Sequence, residues 1–296
     1  MAEPPAGTLI GRQFDAFVGW LTTEGQWFFG GVDTIISTVY NNVSAGFKYL
    51  PAWLLILIVA IVCMVFISRK LALINVLALV GIWGMTTMPS RFADQVHIWP
   101  WAMDTFALVF IAVGVSLLVA IPLGVLSAYH NKLWLVVRPI MDLMQTIPMW
   151  VYMIPAVLFF QMGPTCAIFA TVIFALPPPL RYTNTAIRNV DQGIVEAGKS
   201  LGATTWQRFK KVELPAAVPT IMTGVNQCIM MALSMVVLAA LVGAGGLGGR
   251  IIWGMLRART AYAFEAGFAV VFTAIVIDRS TEELVEKIRQ RLRLVG

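Results

Sequence analysis

The chain has 296 residues, of which 59% are hydrophobic and 12% charged, with a mean hydropathy of +0.81. A water-soluble domain carries about 25% charged and about 45–50% apolar residues, so one aqueous core is excluded and lipid becomes the solvent for much of this surface. The net charge of +6 would suit nucleic acid in a soluble protein. In a membrane protein, Lys and Arg gather on the cytoplasmic side instead, and no nucleic-acid partner is expected.

Residues 1–52 read as an extracytoplasmic or interfacial arm. They lack the basic start and compact apolar core of a secretory signal peptide. Trp27, Phe28, Phe29, Val32, Ile35, Ile36, Val39 and Tyr40 recur at near-helical spacing, with Asp33, Asn41 and Asn42 off that stripe. Such a segment suits a helix lying in the membrane interface or one tucked against the spans. A spanning helix needs about 20 apolar residues, at about 1.5 Å of rise each. Uncharged runs at residues 49–68 and 71–90 predict two accessory spans (53–90), and 105–129 predicts a third. The run 143–180 is too long for one helix and divides at Gln161-Met162-Gly163-Pro164, a turn signal. The run 214–249 predicts a span from about Pro219, followed by a glycine-rich segment, Gly243 to Gly249. The last run, 262–277, is short and carries Glu265. Beyond it, Ser280-Thr281-Glu282-Glu283 has capping-box spacing. Leu284, Ile288 and Leu292 recur every fourth residue among Arg289, Arg291 and Arg293, predicting a separate cytoplasmic helix over 281–296. The fold class is all-α, a polytopic bundle of about seven spans.

Positive charge sets the orientation. With the N-terminus outside, Arg69-Lys70, Lys132 with Arg138, residues 181–218 (six bases, three acids) and 278–296 (five bases, four acids) all face the cytoplasm, while residues 1–52 carry four acids against two bases. The positive-inside rule therefore predicts N-out, C-in. Arg250, Arg257 and Arg259 break the pattern by following the glycine run on the outer side; contact with a partner is the reading they suggest.

No catalytic constellation appears: there is no phosphate-cradling loop with its Lys, no nucleophile elbow and no metal motif. Cys63, Cys166 and Cys228 lie in apolar runs without metal-ligand or disulfide spacing, and His97 and His130 are far apart. An enzyme reading is therefore poor, and no metal is expected. The informative stretch is 191–215, DQGIVEAGKSLGATTWQRFKKVELP. Asp191 is placed to cap a helix through about Leu201, and Gly202 suits the left-handed position beyond its end. Thr204 and Gln207 have capping-box spacing for a second helix bearing Trp206, Phe209 and Val212, which Pro215 is expected to close. A compact, basic helical elbow between two spans suits presentation of a rigid knob to a cytoplasmic partner.

This stretch resembles the EAA motif of binding-protein-dependent ABC importer permeases. It appears as Glu196-Ala197-Gly198, then Gly202, then Val212, then Leu214-Pro215, with Gly198 in place of the usual Ala and Val212 of the usual Ile. The resemblance reaches across about residues 100–280 to the permeases of glycine betaine/proline-betaine importers. It runs through Arg138-Pro139, Asp142, Met144-Gln145-Thr146, Pro148, Val151-Tyr152, Pro155, Ile173 to Pro178, Pro219 to Met222, Gly224 to Gln227, Ala232 to Val237, Gly245 to Gly248 and Asp278-Arg279. Residues 181–185 (RYTNT) depart from that pattern, and 1–69 match only in layout. The resemblance implies a type I ABC importer permease core over 100–280 in a bacterial inner membrane. It implies a homodimer, two ATPase subunits docking on the elbow at 191–215, and a periplasmic or extracellular substrate-binding protein. No cofactor is expected on this chain itself, ATP-Mg being held by the ATPase subunit. The implied cargo is a trimethylammonium or betaine-type solute: glycine betaine, choline, trimethylamine N-oxide or a relative. Quaternary ammonium groups are drawn to aromatic faces, which makes Trp150 and Tyr152 candidates for the translocation path. Asp142 and Glu265 are expected at span ends or in internal pairs. The alternatives are an ABC permease for another small solute such as an amino acid, a secondary transporter, or a scaffold. A secondary transporter would call for internal repeats and mid-span charges.

Overall fold

A computed structural model describes residues 23–87 and 98–293, with isolated positions between 13 and 21. Among the described residues the regular structure is all helical. The helices are α1 (Gln26–Tyr49), α2 (Ala52–Val62), α3 (Arg69–Thr87), α4 (Ile98–Tyr129), α5 (Asn131–Thr146), α6 (Met153–Phe160), α7 (Pro164–Ala175), α8 (Pro177–Arg188), α9 (Gln192–Ser200), α10 (Thr205–Arg208), α11 (Leu214–Ala239), α12 (Gly246–Leu256) and α13 (Thr260–Arg293).

Among the described residues, five stretches are long and apolar enough to cross a membrane: Arg69–Thr86, Ile98–Tyr129, Pro164–Arg188, Thr205–Val242 and Thr260–Ile288. Two bent pairs raise the number to seven if each counts as one span. Gln26–Tyr49 meets Ala52–Val65 at 97°, and Asn131–Thr146 meets Met149–Phe160 at 110°. The expected turn at Gln161 to Pro164 is present, with Gln161 at φ 57°. The span before it, however, is a bent pair rather than a straight rod. Pro148 permits the break, since it has no N–H to continue the helix and holds its own φ near −57°.

The core packs α4, α7, α8 and α11 around small side chains. Ala107, Ala112, Cys166, Ala167, Ala170, Cys228, Ala232 and Ala239 are fully or almost fully buried. Small residues let helix axes approach closely, which is how helices associate when lipid offers no hydrophobic drive. Two glycines permit close approaches to α8. A Cβ at Gly124 of α4 would lie 2.7 Å from Thr183 Cβ, and one at Gly224 of α11 would lie 2.7 Å from Tyr182 Cβ. Both contacts are to α8, which is gripped from either side.

The N-terminal helix α1 packs on this core instead of standing apart. Tyr40, Ser44 and Lys48, four residues apart along one face, converge on Asp104 of α4 at 3.3, 2.6 and 2.6 Å. Phe29 stacks on Phe159 of α6 with centroids 4.4 Å apart and planes parallel within 1°. The accessory helices are tied to α13 through Asn75, which is fully buried and donates to Ser280 Oγ at 2.8 Å.

Two expectations near the C-terminus need correction. The last span does not stop near residue 277, and no new helix begins at the Ser280 box. Helix α13 runs unbroken from Thr260 to Arg293. Backbone donors in an established helix are already satisfied, so Ser280 has no cap to make, and its hydroxyl receives Asn75 instead. The side chains of Arg289, Arg291, Leu292 and Arg293, together with residues 88–97, lie outside the described residues.

Candidate functional site

The elbow at 191–215 forms by local chemistry. Asp191 accepts the Gly193 N–H at 2.7 Å and starts α9. At the other end Gly202 takes φ +75°. Its N–H reaches the Lys199 carbonyl at 2.9 Å, and the Ala203 N–H reaches the Gly198 carbonyl at 3.1 Å. This pair of bonds is the Schellman closure, which satisfies carbonyls that the helix end would leave bare. The predicted capping box is then made in both directions. Thr204 N–H donates to Gln207 Oε1 at 2.9 Å, and Gln207 N–H donates to Thr204 Oγ1 at 3.3 Å.

After α10 the structure departs from the expectation that Pro215 closes the unit. Residues Phe209–Glu213 form a single π-helical turn, and the chain passes directly into α11. Pro215 sits in the first turn of α11, where a missing N–H costs little. The elbow is thus the foot of a helical rod, Thr205–Val242.

The π turn has a consequence the motif does not express. Its i→i+5 repeat places residues five apart on one face, and it brings Arg208 onto Glu213, Nε to Oε1 2.5 Å. Glu213 is buried at 4% exposure, and its other oxygen accepts from the Tyr129 hydroxyl at the end of α4. Tyr129 also meets Phe209 edge-on at 6.3 Å, and Phe209 meets Trp206 at 5.6 Å. Glu213 occupies the one position in the Val212-x-Leu214-Pro215 spacing that the motif leaves unspecified. The clue in the sequence was an acid flanked by two aliphatics, five residues after an Arg.

Among the motif residues, Glu196, Ala197 and Gly202 are exposed, Gly198, Val212, Leu214 and Pro215 half-buried. A Cβ at Gly198 would meet Arg208 Cγ at 3.8 Å and Val212 Cγ2 at 3.9 Å, ordinary contact distances, so alanine fits there.

The two aromatic candidates separate. Trp150 sits on the short 3-10 turn Met149–Tyr152 between α5 and α6 and is half exposed, at 51%. Tyr152 is buried, donates to the Met144 carbonyl and packs edge-on against Phe174. Asp142 pairs with Arg181 and lies 3.9 Å from Arg138, an internal pair as expected, while Glu265 is exposed on α13.

The family described as "Binding-protein-dependent transport system inner membrane component" matches residues 120–294, which include the whole elbow. The chain belongs to this family. As an inner-membrane transport permease it is not an enzyme, and the ATPase of such importers is a separate subunit. It is 37% identical over 277 residues to the glycine betaine transport system permease protein OpuAB of Bacillus subtilis, covering 94% of each chain. It is 37% identical over 270 residues to the glycine betaine/carnitine transport permease protein GbuB of Listeria monocytogenes, covering 90% of this chain and 92% of that one. A chain of the MetNI methionine ABC transporter, solved in inward-facing conformations, superposes with TM-score 0.57 at 23% identity, covering 64% of this permease and 93% of its own length. That likeness establishes the type I importer permease fold.

Proposed function

We propose that the chain is the permease of an ATP-driven importer for betaine-type trimethylammonium solutes. It would act as a pair of copies, with two ATPase subunits on the elbows and a substrate-binding protein delivering cargo on the opposite face. The observation that carries the substrate class is the 37% identity to OpuAB across 94% of both chains. The coupling role rests on the elbow's construction. A knob closed at each helix end by its own caps, and continuous with α11, moves as one body. Glu213 joins it to Tyr129 of α4, so a displacement imposed by an ATPase would reach two core helices together. Glu196, Ala197, Gly198, Gly202, Val212, Leu214 and Pro215 are the proposed coupling residues. Of the two aromatics, Trp150 has the more accessible ring for a trimethylammonium group, and Tyr152 supports the turn that carries it. Selection of the cargo would reside chiefly in the binding protein, with Trp150 offering a weaker and transient contact.

The test is uptake in vesicles carrying the complete importer. Glycine betaine, choline or trimethylamine N-oxide should accumulate only with ATP and the binding protein. Trp150→Ala should lower the transport rate and leave affinity at the binding protein unchanged. Uptake of an amino acid lacking N-methyl groups, without competition from any trimethylammonium compound, would overturn the substrate class.

A further inference from the structure

The three outer arginines form a built cluster. Arg250 of α12 lies over the Trp101 ring of α4, its Cζ 3.5 Å from the centroid. Arg257 and Arg259, in the turn between α12 and α13, lie 4.4 and 5.4 Å from the Trp253 centroid. Tyr262 of α13 sits between the two indoles, 6.3 Å from Trp101 and 5.1 Å from Trp253. The stack therefore runs across three helices and fixes three guanidiniums at the end of α11 remote from the elbow.

The chemistry of that arrangement is specific. A guanidinium stacked on a ring engages through its face and keeps its in-plane N–H donors for a carboxylate. Among the described residues no carboxylate or carbonyl accepts from these three side chains. Arg257 and Arg259 are exposed, and the turn they flank is opened by Ala258 at φ 53°. Met255 and Leu256 beside them are 68% and 82% exposed, an apolar margin of the kind a protein contact covers. Fixing long cationic side chains in advance lowers the entropy lost on docking.

We propose that Arg250, Arg257 and Arg259 form the seat for an acidic surface of the substrate-binding protein. This rests on the importer reading and adds to it the docking site and its charge. Charge complementarity carries the choice of occupant: three ring-held guanidiniums, with no acceptor among the described residues, match carboxylates on a protein that must meet this face repeatedly. The aromatic stack makes the seat a fixed part of the permease, so association is steered by charge and weakened by salt.

The experiment uses the whole importer in nanodiscs and the binding protein that stimulates its ATP hydrolysis. Docking kinetics are read for the wild type and the Arg257→Gln/Arg259→Gln variant over a range of salt. Expected is roughly tenfold weaker docking, chiefly through slower association, with a flatter salt dependence. Arg257→Lys/Arg259→Lys should recover part of the association rate, since charge remains without the fork. Unchanged affinity and salt slope in the Gln variant would overturn the proposal. So would a defect seen only with anionic lipid in the nanodisc, which would assign the arginines to phosphate headgroups, or one abolished by excess free betaine, which would assign them to the cargo carboxylate. Absence of any response of the wild type to a binding protein would instead strike at the importer reading.

Discussion

Gly202 offers the sharpest test of the elbow, because its space and its conformation are separable. A Cβ there would have nothing within 4 Å, so a substitution meets no clash, and its whole cost lies in φ +75°. For an L-residue that conformation costs about 1–2 kcal/mol, less for Asn and more for a β-branched side chain. A difference of that size shifts the balance between the closed and opened turn by a factor of about 5–30. The two Schellman bonds to Lys199 and Gly198 would be lost with it. The series Gly202→Asn, Gly202→Ala and Gly202→Val should therefore insert equally well. Substrate-stimulated ATP hydrolysis of the reconstituted complex should fall in that order, with Val losing most of it or failing to retain the ATPase subunit. Full stimulated activity in the Val variant would refute the elbow as the transmission element. Activity tracking side-chain volume instead of αL tolerance would refute the conformational argument.

Arg208→Ala leaves Glu213 charged and buried with Tyr129 alone, and breaking a buried pair in this way costs about 3–5 kcal/mol. An Arg208→Leu/Glu213→Leu double variant should be the more stable of the two, as read by thermal unfolding in detergent. Asp104→Ala strips the common acceptor from Tyr40, Ser44 and Lys48 and should lower the unfolding temperature by several degrees, with Asp104→Asn milder. An unmoved transition would show that α1 is held by its aromatic contacts alone. Single cysteines at Asn42, exposed on α1 beside the buried Ser44, and at Thr204 in a cysteine-free background should label from outside and inside respectively, and reaction of Thr204→Cys with an impermeant reagent on intact cells would reverse the orientation.

What could be read from the sequence was what depends on near neighbours. Asp191, Gly202 and the Thr204–Gln207 box are short-range devices, and each stands where its spacing placed it. The errors of span length share one cause: uncharged runs measure the lipid slab, while helices continue beyond it. Asp278 and Arg279 end the apolar run but not α13, and Arg181 lies inside the stretch Pro164–Arg188 because Asp142 receives its charge. The error at Pro215 has a separate cause: proline breaks helix interiors, but here it lies in a first turn, where its missing N–H costs little. The bond between Tyr129 and Glu213 joins residues 84 apart in the chain, and no local pattern announces it. The arginines looked anomalous for the same reason, since their aromatic supports come from α4 and α13 as well as α12.

These features meet on one element. Helix α11 has 26 residues and so is about 39 Å long at 1.5 Å per residue. Its first turn is continuous with the elbow, and its last leads through Ala240–Val242 to a bond between the Val242 carbonyl and the Gly163 N–H at 2.9 Å. Beyond Gly243, α12 is fastened to α4 where Leu247 N–H donates to Thr105 Oγ1 at 3.0 Å. The same α4 carries Trp101 at one end and Tyr129 at the other. On the assignments proposed, ATPase and binding protein therefore act on opposite ends of the same two helices. Coupling between two sites is reciprocal in free energy. If a docked binding protein favours the arrangement in which the ATPase holds ATP, ATP must strengthen docking at the arginine seat by the same factor. Breaking the Glu213 junction should lower both effects together while each partner still binds. Undiminished coupling in that variant would mean that the two helices do not carry the signal through this junction.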